Sequence, residues 1–138
     1  MSRSGYSEEL DNWALIKWRG QVASAIRGKR GQKLLQELAE AMDAMPAKEL
    51  IAHEFERDGA YCALGVVGAK RGIDLDSIDP DEPDEVAAAF DIAEQLAREI
   101  VYINDEYHLT PANRWKLVRE WVTEQINRPA VTVNKGKP

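Results

Sequence analysis

A short basic segment is the part of this sequence whose residue types could most directly bind an anion. The segment Arg27-Gly-Lys-Arg-Gly-Gln-Lys33 holds four cations in seven residues. Its glycines predict a turn between two helices. Cations gathered at a helix N-terminus, where backbone amides are free, favour phosphate binding. The spacing also permits a helix-turn-helix, in which Gln32, Lys33 and Gln36 would approach base edges.

Acidic side chains on the following helix argue against a nucleic-acid contact. Glu37, Glu40 and Asp43 line the solvent face of that helix, where they would repel phosphates. A solvated turn without a ligand is therefore the alternative interpretation of the basic segment. Charge alone does not distinguish the two, so both interpretations stay open at the level of the sequence.

The single cysteine, Cys62, could act as a nucleophile with His53 or His108 as its base. Cysteine catalysis needs surroundings that favour the thiolate, whereas the neighbours of Cys62 in the sequence, including Tyr61 and Leu64, are uncharged. The local sequence therefore predicts a buried side chain that behaves as a small apolar group. A cysteine-dependent enzyme is retained as the third hypothesis for the function.

The remaining ligand-type residues do not form a metal motif. The two histidines and one cysteine lie too far apart in the sequence for a zinc site. The acidic series that starts at Asp74 begins like a calcium loop, but Ile78 replaces the third ligand and no glycine follows. The sequence contains no phosphate-binding glycine loop, hydrolase elbow or kinase signature. We therefore expect no metal, no cofactor and no enzymatic activity.

The elements that must position these residues are predicted to be helices. Apolar residues recur at helical spacing between glycine and proline breaks, which predicts helices over 12–27, 32–44, 61–71, 84–107 and from Pro111 to about 126. Thr110 is the predicted N-cap of the last helix. The fold class is therefore all-α, a single compact domain of about five helices packed around the small-residue central helix, 61–71.

Three segments between or at the ends of these helices carry further predictions. Residues 48–55 favour a short helical turn, and the acidic segment 73–85 favours a surface loop. The run Asn104-Asp-Glu-Tyr-His108 contains more consecutive polar side chains than are needed to end a helix. It predicts either pairing with Arg98 or Arg114, or a rim that contacts a partner.

The first helix has two different faces. Its predicted core stripe consists of Leu15, Trp18, Val22 and Ile26. The opposite face carries Trp13, Lys17 and Arg27, separated by small residues, and tryptophan and arginine are favoured at the centres of interfaces. The residues predicted to contact a partner or nucleic acid are Trp13, Lys17, Arg19, Arg27, Lys29, Arg30 and Lys33.

The composition, 44% apolar and 30% charged over 138 residues, is that of a globular protein. We expect an N-terminal arm at 1–11, a helical domain at 12–128 and a flexible C-terminal tail at 129–138. Because no apolar run is long enough for a membrane span and no signal peptide is visible, a cytoplasmic location without a membrane partner is expected.

Charge is distributed unevenly along the chain. Residues 1–33 carry a net charge of +4, whereas the other 105 residues carry −10. This separation predicts a dipolar surface, with one pole that attracts anionic partners and another that attracts basic ones.

Short motifs along nearly the whole chain also point to a family. They are Asn12-Trp13, Trp18-Arg19-Gly20, Ile26-Arg27-Gly28-Lys29-Arg30-Gly31-Gln32, Ala44-Met45-Pro46, Leu50-Ile51-Ala52, the stretch from Gly59 to Gly68, Arg71-Gly72-Ile73-Asp74, Glu99-Ile100, Asn104-Asp105-Glu106, Arg114-Trp115 and Trp121-Val122. With these motifs the chain resembles small proteins that recur in phage and prophage genomes. The resemblance implies a viral source and carries no catalytic residue with it.

The first hypothesis for the function is therefore a phage-encoded binding protein without chemistry of its own, which acts on a host or viral protein during infection. An inhibitor of a bacterial defence complex, similar in role to an anti-CRISPR protein, is one concrete form. The alternative is an accessory protein that binds nucleic acid through the basic turn, 27–33. A homodimer is a further open expectation, because small helical proteins often pair through an apolar stripe.

Overall fold

The computed structural model describes residues 12–126. The predicted arm, 1–11, and the predicted tail, 129–138, lie outside the described residues, as do residues 127 and 128. The elements in chain order are α1 Asn12–Arg27, α2 Lys29–Asp43, β1 Glu56–Arg57, β2 Ala60–Tyr61, α3 Ala63–Arg71, a 3-10 turn Leu75–Ser77, α4 Pro83–Phe90, α5 Glu94–Asp105 and α6 Pro111–Ile126. The all-α class is confirmed, with six helices in the described range instead of about five.

The core forms where α2 and α5 gather the other helices. The helix α2 packs against α1, α3 and α6, and α5 packs against α1, α3, α4 and α6. The inner face of α2 is completely buried, since Leu34, Leu35, Leu38 and Met42 have no exposed surface. Burial of such stripes provides most of the stability of amphipathic helices.

The central helix α3 is the predicted small-residue element, and it lies between α2 and α5. Its small residues permit close contact: a Cβ added at Gly65 would lie 2.0 Å from the carbonyl oxygen of Phe55. The Sγ atom of Cys62 caps the helix by accepting a hydrogen bond from Gly65 N at 3.3 Å. Gly72 ends it with a left-handed φ of 76°, which glycine adopts without strain.

The turn between α1 and α2 is shorter than predicted. Gly28 alone separates the helices, so α2 begins at Lys29 instead of Gln32. Gly31 is not a turn residue but lies buried inside α2, where an added Cβ would be 2.1 Å from the carbonyl oxygen of Ala25. The glycine is needed because the start of α2 presses on the end of α1.

The predicted long helix over 84–107 is wrong, because α4 and α5 are separate. Asp91 has a φ of 56° and ends α4 in the left-handed conformation, which aspartate tolerates better than most residues. The break allows Phe90 and Ile92 on its two sides both to be buried. Tertiary burial therefore overrides a helical pattern that is continuous in the sequence.

The predictions for the two connecting segments also need correction. Residues 48–55 are irregular and not helical, because their amides bond to distant segments: Leu50 N donates to Pro111 O at 3.1 Å and Ile51 N to Tyr61 O at 3.0 Å. Within 73–85, the chain forms the 3-10 turn and begins α4 at Pro83, so it is not a loop throughout.

A buried arginine joins the ends of α5 and α6 to the irregular segment. Arg114 Nε donates to Asn104 O at 2.7 Å, while its two terminal nitrogens donate to Leu50 O and Tyr107 O at 3.4 and 3.2 Å. The predicted pairing of the 104–108 run with Arg114 is therefore confirmed in the form of bonds to backbone carbonyls. The predicted cap is also confirmed, since Asn113 N donates to Thr110 Oγ1 at 3.2 Å.

Ion pairs connect α2 to its neighbours at the surface. Arg71 of α3 pairs with Glu37 at 2.8 Å, and Arg119 of α6 pairs with Asp43 at 2.9 Å. The hydrogen bonds from Arg71 and from Arg119 lower the pKa of Glu37 and of Asp43, respectively. The sequence alone assigned Glu37 and Asp43 to the solvent face of α2. In the structure both side chains instead connect α2 to neighbouring helices.

We expect Gly31→Ala to destabilise the protein by about 2 kcal/mol, because the new methyl group would overlap backbone atoms that cannot move independently. The matched control is Gly20→Ala in α1, where no atom lies within 4 Å of the added Cβ. That change should stabilise the helix by about 0.5–1 kcal/mol. Denaturant unfolding measures both, and equal effects of the two substitutions would contradict the close α1–α2 contact.

Candidate functional site

The N-terminal half of α1 exposes bulky apolar side chains to solvent. Trp13 is 72% exposed, Ile16 63% and Leu15 44%. Leu15 was predicted to face the core, and that prediction is wrong. Among the described residues, α1 meets the rest of the protein mainly through its later turns, where Val22 and Ile26 are buried, so the first turns project beyond the core.

The predicted exposed face of α1 is present. Trp13, Lys17, Gly20 and Ser24 are all exposed, and Arg27 is half-buried. The helix contains no acidic residue. This face is therefore apolar at its N-terminal end and cationic along its length, with small residues between. We use the name α1 surface for the exposed side chains of Trp13, Ile16 and Lys17, which lie on this side of the first turns, together with the exposed side chain of Leu15, which projects from the opposite side of the same turns.

Arg19, also predicted to contact a partner, does not belong to the α1 surface, because its side chain is directed towards α5. Its guanidinium forms two hydrogen bonds with the buried carboxylate of Glu99 on α5, at 2.8 and 2.9 Å. Gln95 Nε2 and Gln21 Oε1, 3.4 Å apart, continue this contact and show that the two helices run antiparallel. Arg19 thus holds α1 against α5 and contributes to the position of the α1 surface.

The four tryptophans differ in exposure. Trp18, which the sequence placed on the core stripe of α1, is partly buried against the core, as are Trp115 and Trp121. The guanidinium of Arg98 lies 5.4 Å from the ring centre of Trp18. Trp13 is the tryptophan left largely in solvent.

The basic turn has a structural explanation that the sequence did not reveal. The side-chain amide of Gln32 donates to Ile26 O at 2.8 Å and to Gln125 O at 3.2 Å. The C-terminal ends of α1 and α6 therefore meet beside the start of α2. Cations there oppose the dipole of α2 but complement those of the other two helices.

The cations of the basic turn nevertheless remain accessible. Lys29, Arg30 and Lys33 are exposed, and Arg30 pairs with Asp91 at 3.2 Å in an equally exposed contact. Gly28, the N-cap of α2, provides no side-chain cap for the free amides. The turn thus presents three cations and a helix N-terminus on one surface, with one carboxylate already beside it.

Cys62 is buried, as predicted, with 1% of its surface exposed. In the described part of the chain neither histidine bonds to it. His53 instead lies against the buried carboxylate of Asp105: its backbone N donates to Oδ1 at 3.0 Å, and Nδ1 is 3.9 Å from Oδ2. His108 is exposed. The Cys62 sulfur therefore acts as a helix cap and packs in the core.

The described residues offer neither a metal site nor a membrane-spanning helix. Within residues 12–126, no group of three or more His, Cys, Asp and Glu side chains could hold a metal ion. Nor is any described helix both long and apolar enough to cross a membrane.

Sequence reasoning missed Ile16 and the exposure of Leu15. The sequence did offer one signal for Ile16, because it is a large apolar residue outside the core stripe of α1. The side of a helix that only faces water is usually polar, so such a residue indicates a possible contact surface. Sequence reasoning also missed Gln32 as a link between helix ends, for which a single sequence offers no signal.

No protein-family model, curated protein or solved structure matches this chain. The resemblance to phage proteins stays a prediction from motifs.

We expect the Cys62 thiol to react with an aromatic disulfide reagent only after unfolding, because its sulfur is enclosed and hydrogen-bonded. Absorbance of the released thiolate measures the rate in buffer and in denaturant. One thiol per chain should appear in denaturant. A native rate equal to the unfolded rate would show that the sulfur is accessible and would favour the enzyme hypothesis.

Proposed function

We propose that this protein is a phage-encoded, non-enzymatic binding protein that acts on a host or viral protein during infection. Inhibition of a bacterial defence complex is one concrete form of this role. The observation that carries the proposal is the α1 surface, where three bulky apolar side chains stand exposed on a helix without acidic residues. The viral source rests on the motifs described above.

The α1 surface has the composition of an interface centre. Complete burial of one leucine or isoleucine side chain is worth about 1.5–3 kcal/mol, and tryptophan is enriched among the residues that dominate binding energy. Trp13 and Ile16 lie three residues apart and therefore on neighbouring positions of one helix face. Such a helix fits an apolar groove of a partner.

The charge of α1 indicates the chemistry of that groove. Lys17 directly follows the exposed apolar residues along α1, and its side chain is exposed. Because α1 contains no Asp or Glu, no carboxylate of this helix neutralises the lysine. A protein groove bordered by Asp or Glu would match this pattern, whereas a nucleic acid would leave Ile16 and Leu15 without apolar contacts. The proposed partner is therefore a protein with an acidic rim.

We expect Trp13→Ala to weaken binding to the partner by about tenfold or more, because it removes the largest exposed apolar group. The partner is first isolated on the immobilised protein from infected-cell lysate, then purified, and its Kd is measured by calorimetry. Lys17→Ala should weaken binding by about two- to fivefold, as expected for a charge at a rim.

The matched control is Lys116→Ala, which removes an exposed lysine on α6. It should leave the Kd unchanged, and the far-UV circular dichroism of all variants should match that of the unchanged protein. Full retention of the partner by Trp13→Ala would contradict the assignment to α1. If Lys17→Ala and Lys116→Ala weakened binding equally, the effect of Lys17 would come from the net charge of the protein and not from its position on α1.

A second candidate function is binding of nucleic acid through the basic turn. The exposure of Lys29, Arg30 and Lys33 around an uncapped helix N-terminus favours it. The adjacent Asp91 weighs against it, because it already pairs with Arg30. Nucleic-acid binding through the basic turn is therefore the weaker of the two candidate functions, and protein binding through the α1 surface is the stronger.

In a gel-shift assay at low ionic strength, nucleic-acid binding through this turn should fall steeply as salt rises, with a logarithmic slope of about 0.9 per neutralised phosphate of duplex DNA. Arg30→Ala should weaken binding further and reduce that slope, whereas Lys116→Ala should change neither. Unchanged mobility of the nucleic acid at low salt would eliminate this candidate.

A further inference from the structure

The hairpin formed by β1 and β2 has an open edge. Its register pairs Glu56 with Tyr61, and Cys62 N donates to Phe55 O at 3.0 Å across the two strands. Hydrogen-bonded and non-hydrogen-bonded pairs alternate in antiparallel strands, so Glu56 and Tyr61 form a non-hydrogen-bonded pair. Their backbone groups therefore point outward. On the β2 side, Tyr61 O already accepts a bond from Ile51 N.

On the β1 side, the outward N–H and C=O of Glu56 face no further strand, since the sheet within residues 12–126 has only two strands. The hairpin itself is held in shape by a two-residue turn in which Asp58 and Gly59 both have positive φ, 53° and 84°. The open edge is therefore preformed. An exposed edge of this kind accepts an additional extended chain.

A cleft adjoins this edge. One part, of about 200 Å³, lies between residues 54–56 and the segment that contains Leu75, Ile78 and Pro80. A second part, of about 300 Å³, lies between Glu56 and residues 73–76. The two parts share Glu56, Leu75 and Asp76 in their walls. The floor of the first part is apolar, because it is formed by the buried side chains of Phe55, Leu75 and Ile78. The second part exposes mainly polar atoms.

The walls of the cleft carry charge of one sign. The titratable acids among them are Glu54, Glu56, Asp74 and Asp76, and no basic residue lines either part. Glu54 is paired with Arg57, which leaves the exposed carboxylates of Glu56, Asp74 and Asp76. The sequence continues this charge, since no lysine or arginine occurs between Arg71 and Arg98.

We propose that the open edge of β1 and the acidic cleft beside it bind an extended peptide segment that carries arginine or lysine side chains. The backbone of this segment pairs with Glu56. Its basic side chains lay their methylene stems on the apolar floor and place their charged heads among the carboxylates, which is how long cationic side chains satisfy both surroundings. The edge offers only one residue for pairing, so charge and the cleft must supply most of the selectivity.

This site lies on a different part of the molecule from the α1 surface, and it takes a partner of the opposite charge. The protein is therefore able to contact an acidic-rimmed groove through α1 and a basic extended segment through β1. Neither contact requires the other, so the two proposals are tested separately.

The test uses a peptide labelled at its N-terminus, fluorescein-Arg-Val-Arg-Val-Arg-amide, with anisotropy as the readout at low ionic strength. We expect saturable binding to the full chain. Asp76→Lys should weaken it by about tenfold or more, because an attractive charge in the cleft becomes a repulsive one. The same peptide with every internal backbone nitrogen methylated should bind severalfold more weakly, since neither of its edges can then donate hydrogen bonds to Glu56.

The control variant is Asp84→Lys, which makes the same change of charge at an exposed position of α4 that does not line the cleft. It should weaken binding by no more than about twofold. Trp13→Ala should have no effect. The proposal is overturned by absence of peptide binding, by equal losses from Asp76→Lys and Asp84→Lys, or by undiminished binding of the methylated peptide.

Discussion

The buried guanidinium of Arg114 is the interaction on which much of the arrangement depends. It bonds to carbonyls at the end of α5 and in the irregular segment, while Asn104 beside it donates to Ile51 O at 2.9 Å and accepts from Ala63 N at 3.1 Å. A buried charge destabilises the fold unless it is hydrogen-bonded and lies near an opposite charge. Arg114 is linked to such a charge through Asn104, whose side-chain amide donates a hydrogen bond to the buried carboxylate of Asp105. The hairpin and the start of α3 are thereby fixed to α5.

The second constraint is the meeting of three helix ends at Gln32. One amide group satisfies carbonyls of α1 and α6, and Gly31 allows α2 to approach. In this arrangement the cations of the basic turn lie beside the C-terminal ends of α1 and α6, whose dipoles favour positive charge. The contact at Gln32 also anchors the C-terminal end of α1 firmly, while the N-terminal end of the same helix is left with Trp13 and Ile16 in solvent. The proposed binding surface thus lies on a helix whose opposite end is held by these contacts.

The two proposed surfaces have opposite chemistry. The α1 surface is apolar and cationic, whereas the cleft beside β1 is acidic and has an apolar floor in its first part. The dipolar surface stays a prediction from the sequence, and the two proposed surfaces carry charges of the same signs as its two poles. Their apolar components, Leu15 and Ile16 on one side and Leu75 and Ile78 on the other, were not foreseen. Because apolar contact supplies affinity and charge supplies orientation and selectivity, both components are needed at each surface.

The sequence by itself determined the all-α class, the bounds of α1, the cap at Thr110 and the central position of α3, because these depend on local periodicity, on capping groups and on small residues that permit close packing. Only the tertiary structure decided that the helix pattern breaks at Asp91, that Gly31 belongs to a helix and that residues 48–55 bond to distant segments. It also decided that Leu15 is exposed. Periodicity shows which side of a helix is apolar, but whether another element covers that side depends on contacts between residues far apart in the chain.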